Sequence, residues 1–97
     1  MDQLNRIVLE GSLVEGPIIN AEETKVTFYV ENKRKFKHDG EEHDSTDTFE
    51  IVSFNKEKAI TRLLKYGDRV LVWGAMNMYR GKPQIIAESV IELKKSL

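Results

Sequence analysis

An all-β barrel of five strands is the fold class this sequence predicts. Three observations lead there. Apolar residues recur at a period of two in the first, second and fourth of five strand-like segments, glycine-bearing turn signals punctuate the chain, and only the segment between the third and fourth carries a helical pattern. The chain has 97 residues, 40% of them hydrophobic and 32% charged. That length suits one domain spanning residues 1–97, and the lean apolar content suits a small β-rich fold with a wet surface.

The first strand is expected over Asn5 to Val14 (NRIVLEGSLV), with Ile7, Leu9 and Leu13 on one face and Arg6, Glu10 and Ser12 on the other. Gly11 falls in its middle, where a glycine marks a bulge or sharp bend that would let one long strand serve both halves of a barrel. Gly16-Pro17 reads as a turn. The second strand, Lys25 to Glu31 (KVTFYVE), turns Val26, Phe28 and Val30 inward and Thr27 and Tyr29 outward. A polar loop leads to the third strand, Thr48 to Phe54 (TFEIVSF). Lys56 to Lys65 (KEKAITRLLK) is the one helix, with Ala59, Ile60, Leu63 and Leu64 as its apolar stripe and Tyr66-Gly67-Asp68 as its stop. The fourth strand, Arg69 to Met78, points Val70, Val72, Met76 and Met78 inward. Tyr79 to Pro83 (YRGKP) is a tight hairpin before the fifth strand, Gln84 to Leu93. Five strands with one short α-helix between strands 3 and 4 is the element order of an OB-fold, a five-stranded Greek-key barrel, with SH3-like barrels and small α+β domains as the alternatives that element order leaves open.

Composition narrows the function classes. The net charge is −1, so any attraction to a polyanion must be local, and the chain contains no cysteine, which removes disulfides and thiolate metal sites and fits a cytoplasmic setting. The start, MDQLNRIVLEG, has no long apolar stretch of the signal-peptide kind, and no segment approaches a membrane span. There is no phosphate-cradling glycine loop, no cysteine nucleophile and no recognisable Ser/His/Asp set, so an enzyme is not expected. His38 and His43, with Asp39, Glu41 and Glu42 between them, have neither helical nor zinc-motif spacing. No metal or other cofactor is expected.

The dense positive cluster is KRKFKH, residues 33 to 38. Lys33, Arg34, Lys35 and Lys37 surround Phe36, and acids follow at once. A solvated hairpin tip is the plain explanation. The functional one is a finger whose cations neutralise phosphates while its ring stacks on a base, the combination that single-stranded nucleic acid calls for. Tyr79, Arg80 and Lys82 repeat the pattern on a second hairpin, where ordinary turn chemistry is the alternative. Tyr29 shares an outward face with Thr27 and could join the same platform. Trp73 lies with Leu71 and Ala75 on the outward face of a strand that is apolar on both sides, so nucleic acid or another subunit must cover it. Arg6 is a further phosphate candidate, with a cross-strand pair to an acid as its alternative.

Taken together, NRIVLEGSLVEGP, AITRLLKYGDRVLVWGAM and the ending ESVIEL resemble the bacterial single-stranded DNA-binding protein family over nearly the whole chain. The resemblance implies an OB-fold that assembles as dimers or tetramers and wraps single-stranded DNA over aromatic and basic side chains in replication, repair and recombination, near the nucleoid. It also implies two aromatics on the nucleic-acid face of the third strand. Phe49 matches the first, whereas Phe54 falls one residue short of the spacing and is expected to point inward. The acidic tail through which such proteins recruit replication and repair enzymes has no counterpart in IELKKSL. A related adaptor, primosomal replication protein N, shares the fold and the short form, with replication-restart proteins as its main partners.

Overall fold

The computed structural model describes residues 4–54, 61 and 63–93. Five strands follow in chain order: β1 (Ile7–Ile19), β2 (Lys25–His38), β3 (Glu41–Phe54), β4 (Arg69–Tyr79) and β5 (Lys82–Leu93). They form a closed barrel in the order β1-β2-β3-β5-β4, every neighbouring pair being antiparallel except β3 with β5. This is the all-β, five-stranded OB-fold expected from the element order.

Alternation explains why these segments close. Val26, Phe28 and Val30 of β2 face Ser53, Ile51 and Phe49 of β3. Together with Leu13, Val70, Val72, Ile85 and Val90 they fill an interior in which each of the aliphatic side chains and Phe28 is at most 1% exposed. Side chains at the intervening positions are thrown to the outside, because successive residues of a strand point to opposite faces.

One long strand does serve both halves of the barrel. Ile7 to Ser12 pair with β4, and Ser12 to Ile19 pair with β2. Gly11 sits just before the hand-over. The register with β4 runs unbroken through it, so it is no bulge; its role is close approach, since a Cβ there would lie 2.3 Å from the Glu31 carbonyl oxygen. Gly16-Pro17 is likewise not a turn between elements. It is a cis pair inside β1, where the register against β2 shifts between Glu15 and Ile18. Proline lacks the N–H a regular ladder needs, and a break in register is where a strand can hold one.

The second and third strands run much further than their apolar alternation predicts. β2 and β3 stay paired out to His38 and Glu41 and close through Asp39-Gly40, with φ of 52° and 79°. Arg80-Gly81 closes β4 and β5 with φ of 51° and 78°. Two central residues with positive φ give the turn whose twist matches that of paired strands. Residues 33–46 therefore form a two-stranded arm rather than a loop. Met78, expected inside, is 62% exposed near the second turn.

The helix expected over Lys56 to Lys65 lies largely outside the described residues. Of its stripe, Leu64 is buried in the core but Leu63 is 76% exposed; Ala59 and Ile60 lie outside the described residues. The following turn is tied to β1: the Gly67 N–H donates to the Leu13 carbonyl at 2.8 Å and the Leu13 N–H to that of Asp68 at 2.9 Å.

Candidate nucleic-acid interface

The outer faces of β3, β4 and β5 carry two adjoining depressions. The larger, about 380 Å³, has Val52 and Ile86 at its apolar floor, Phe54 and Lys25 toward one end and Tyr79 toward the other. The second, about 290 Å³, is lined by Tyr79, Arg80, Lys82 and Pro83. Glu50, Tyr79 and Gln84 belong to both, so the two run together as one open track. Phe54 is 46% exposed and Tyr79 54% exposed. The Arg80 guanidinium carbon lies 5.3 Å from the centre of the Tyr79 ring, covering one of its faces. Rings open to solvent and flanked by cations at both ends are what a flexible polyanion with stackable bases requires.

The middle of the track is polar. The Tyr29 hydroxyl donates to Glu50 Oε2 at 3.4 Å, Gln84 Nε2 donates to Glu50 Oε1 at 2.8 Å, and Asn77 Nδ2 donates to Gln84 Oε1 at 3.0 Å. Burial, and then the carboxylates of Glu50 and Glu15, push the Tyr29 phenol above its ordinary value of 10.0. Folding therefore favours the protonated phenol. The stability this provides is complete below pH 10 and is lost as the pH rises through the raised value. Tyr29→Phe should accordingly flatten the fall in unfolding free energy on the alkaline side of pH 10, measured by urea titration at a series of pH values.

Several residues singled out by sequence meet here: Tyr29 through its bond to Glu50, and Tyr79, Arg80 and Lys82 along the walls. Lys33, Lys35 and Lys37 continue along the arm on the side of β2 that carries Tyr29, since all are odd-numbered in one strand. Phe36 does not join them. It alternates with the lysines and lies on the opposite face, stacked on His43 with ring centres 5.4 Å apart. The picture of one ring sleeved in cations is thus corrected by the strand geometry. The arm's acids lie across from its lysines, Asp44 opposite Lys35 and Glu42 opposite Lys37. Arg34 approaches Asp47 at 3.9 Å and Lys33 approaches Glu31 at 3.7 Å.

The two third-strand aromatics exchange places relative to expectation. Phe49 pairs with Val30 and packs partly buried against the core, whereas Phe54 pairs with Lys25 and faces outward. They are five positions apart, so they must lie on opposite faces, and the pairing of β3 with β2 decides which is which. Phe49 therefore leaves the candidate interface and Phe54 enters it. Glu50 and Gln84 were also missed. Lone polar residues in a strand give no signal until register brings them together. Trp73 is half-buried about six residues, roughly 20 Å, along β4 from Tyr79. It lines neither depression, and its strand partners are Val8 and Ser89. Arg6 makes the acid pair that was its alternative, 3.3 Å from Glu88.

Residues 4–92 match the single-strand binding protein family. The chain belongs to that family. Among solved structures, this family member is similar to a deletion mutant of the single-stranded DNA binding protein from Thermus aquaticus, with a TM-score of 0.79 at 17% identity. The match covers 94% of this chain and 51% of that one, so the chain spans about half the length of the Thermus protein. It is also similar to the Plasmodium falciparum SSB in complex with ssDNA, with a TM-score of 0.77, 23% identity and coverage of 97% and 98% of the two chains. The protein PriB from Ralstonia solanacearum gives a TM-score of 0.74 at 12% identity, over 93% of this chain and 98% of that one. At these identities the likenesses establish the fold. No curated protein sequence matches this family member.

Proposed function

We propose that the protein binds single-stranded DNA without strong sequence preference, stacking bases along the outer track and holding phosphates with the cations of its two hairpins. The observation that carries this is the track itself: Phe54 and Tyr79 stand open to solvent on one side of the barrel, with Lys25 at one end and Arg80 and Lys82 at the other. Binding would be protective and architectural, in the setting of replication, repair or recombination, with no bond made or broken.

Fluorescence anisotropy with a labelled oligo-dT and a matched duplex, each at two salt concentrations, tests the reading. The single strand should bind, less tightly at higher salt, and the duplex should bind far more weakly. Equal affinity for the duplex, or no binding, would overturn it.

The arm makes a separate contribution to salt dependence. Each phosphate neutralised on a single strand steepens the salt dependence by about 0.7 log units per decade. Lys35 and Lys37 make no ion pair within 4.0 Å among the described residues, although acids stand opposite them. Replacing both with glutamine should reduce the slope by up to about 1.4. An unchanged slope would place the arm outside the DNA path.

Assembly into dimers or tetramers belongs to the same proposal. Val8, Trp73, Leu71 and Ile91 form an apolar patch on the outer face of β1, β4 and β5, with Val8 61% and Ile91 45% exposed. The patch shares the outer face of β4 with Asn77 and Tyr79 and adjoins the track at the Ala75–Ile86 pair, so a second copy seated there would border the DNA face. Light scattering of the full chain beside a Trp73→Glu variant reads this out directly.

A further inference from the structure

A carboxylate is an unexpected feature in the middle of a phosphate-binding track. Glu50 lines both depressions, between Lys25 at one end and the Arg80-Lys82 hairpin at the other. A phosphate passing over it would be repelled, so the favourable path lays the backbone along the cationic ends and turns bases toward the centre. A base stacked on Phe54 or Tyr79 would then present an edge to Glu50.

The network fixes what that edge meets. Gln84 uses one N–H on Glu50 Oε1, and its own oxygen accepts from Asn77, which sets the orientation of the Gln84 amide. Tyr29 spends its single hydrogen on Oε2. An ionised carboxylate has about four acceptor positions, and these two bonds leave about half of them unfilled. The Asn77 side-chain oxygen is a further acceptor. The centre of the track therefore offers an excess of acceptors over donors, and it can discriminate between bases by the donors on their edges.

We propose that Glu50, held by Tyr29 and Gln84, selects bases carrying an exocyclic amino group, guanine foremost, over thymine at this position of the track. Guanine places the N1–H and the 2-amino group side by side, matching the two oxygens of a carboxylate. Cytosine and adenine each offer one amino donor. Thymine has an imino N–H flanked by two carbonyl oxygens, which the carboxylate repels. The inference rests on the single-stranded DNA reading and adds to it a modest base preference carried by hydrogen bonding rather than by stacking strength.

The test compares affinities for oligo-dT, alternating dT-dG and alternating dT-dI of equal length. Deoxyinosine keeps the purine ring for stacking but lacks the 2-amino group. The dT-dG strand should bind about tenfold tighter than oligo-dT, near the low end for a bidentate base contact because the site is open to water. Replacing guanine with hypoxanthine should remove most of that gain. Glu50→Gln removes the charge and keeps one oxygen to accept from Gln84, while the Tyr29 hydroxyl turns to accept from the new amide N–H. It should bind oligo-dT more tightly than the native protein does and should lose the difference between dT-dG and dT-dI. Equal native affinity for dT-dG and dT-dI would overturn the inference, as would a preference that survives Glu50→Gln. Failure to bind any of the three strands would instead sink the single-stranded DNA reading.

Discussion

Gly74→Ala is expected to cost about 3 kcal/mol or more of folding stability. Gly74 lies where β4 and β5 change register, between the Trp73–Ser89 and Gly74–Ala87 pairs. A Cβ on this residue would sit 2.1 Å from the Ile86 carbonyl oxygen and 2.9 Å from its carbon. Both are backbone atoms of the neighbouring strand, so no side-chain rotation relieves the contact and the ladder itself must open. Small domains have a total stability of about 5–15 kcal/mol, so the loss is a large fraction of the whole. A urea unfolding curve measures it. A midpoint matching the native one would mean that the two strands are further apart at this point than the structure has them.

The second large effect is on binding. Replacing both Phe54 and Tyr79 with alanine should weaken binding to oligo-dT by about 2–6 kcal/mol, since each stacked base contributes about 1–3 kcal/mol. Even the lower figure is roughly a thirtyfold loss. Tyr79 has one face covered by Arg80, which leaves the other for a base. Phe54 lies at the opposite end of the same depression. Phe49→Ala is the informative contrast. That ring packs against the core, so its removal should cost stability, about 2 kcal/mol for a half-buried phenyl, while the folded variant keeps its affinity. If Phe49→Ala abolished binding and the double variant did not, the assignment of faces in β3 would be reversed.

Much of the barrel was legible because one-sided burial writes itself into the sequence. Val26, Phe28 and Val30 alternate with polar or amphipathic neighbours, and each of the three is buried. The β2–β3 arm was not legible in this way. Both of its faces are wet, so no apolar alternation marks it, and the dipeptide Asp39-Gly40 is the local sign that paired strands continue to that point. The site was legible only in pieces. Aromatic and cationic residues on the YRGKP hairpin were conspicuous, but the face of each ring in β3 was not. Ile51, Val52 and Phe54 put apolar residues on both sides of that strand, and the inward face is set by partners more than twenty positions away. Glu50 and Gln84 come from strands 34 residues apart and meet only after the barrel closes.

Beyond the barrel, the arm has a vulnerability of its own. Past Glu31 on β2 and before Ile51 on β3, the two strands pair with each other and, among the described residues, with no third strand, so a row of backbone donors and acceptors outside any described ladder runs down each outer edge. Such edges invite a further strand from another molecule unless charged side chains make its approach costly. The alternating lysines and acids of residues 33–47 supply that deterrent, whatever else they bind. An arm stripped of them would be a template for aggregation.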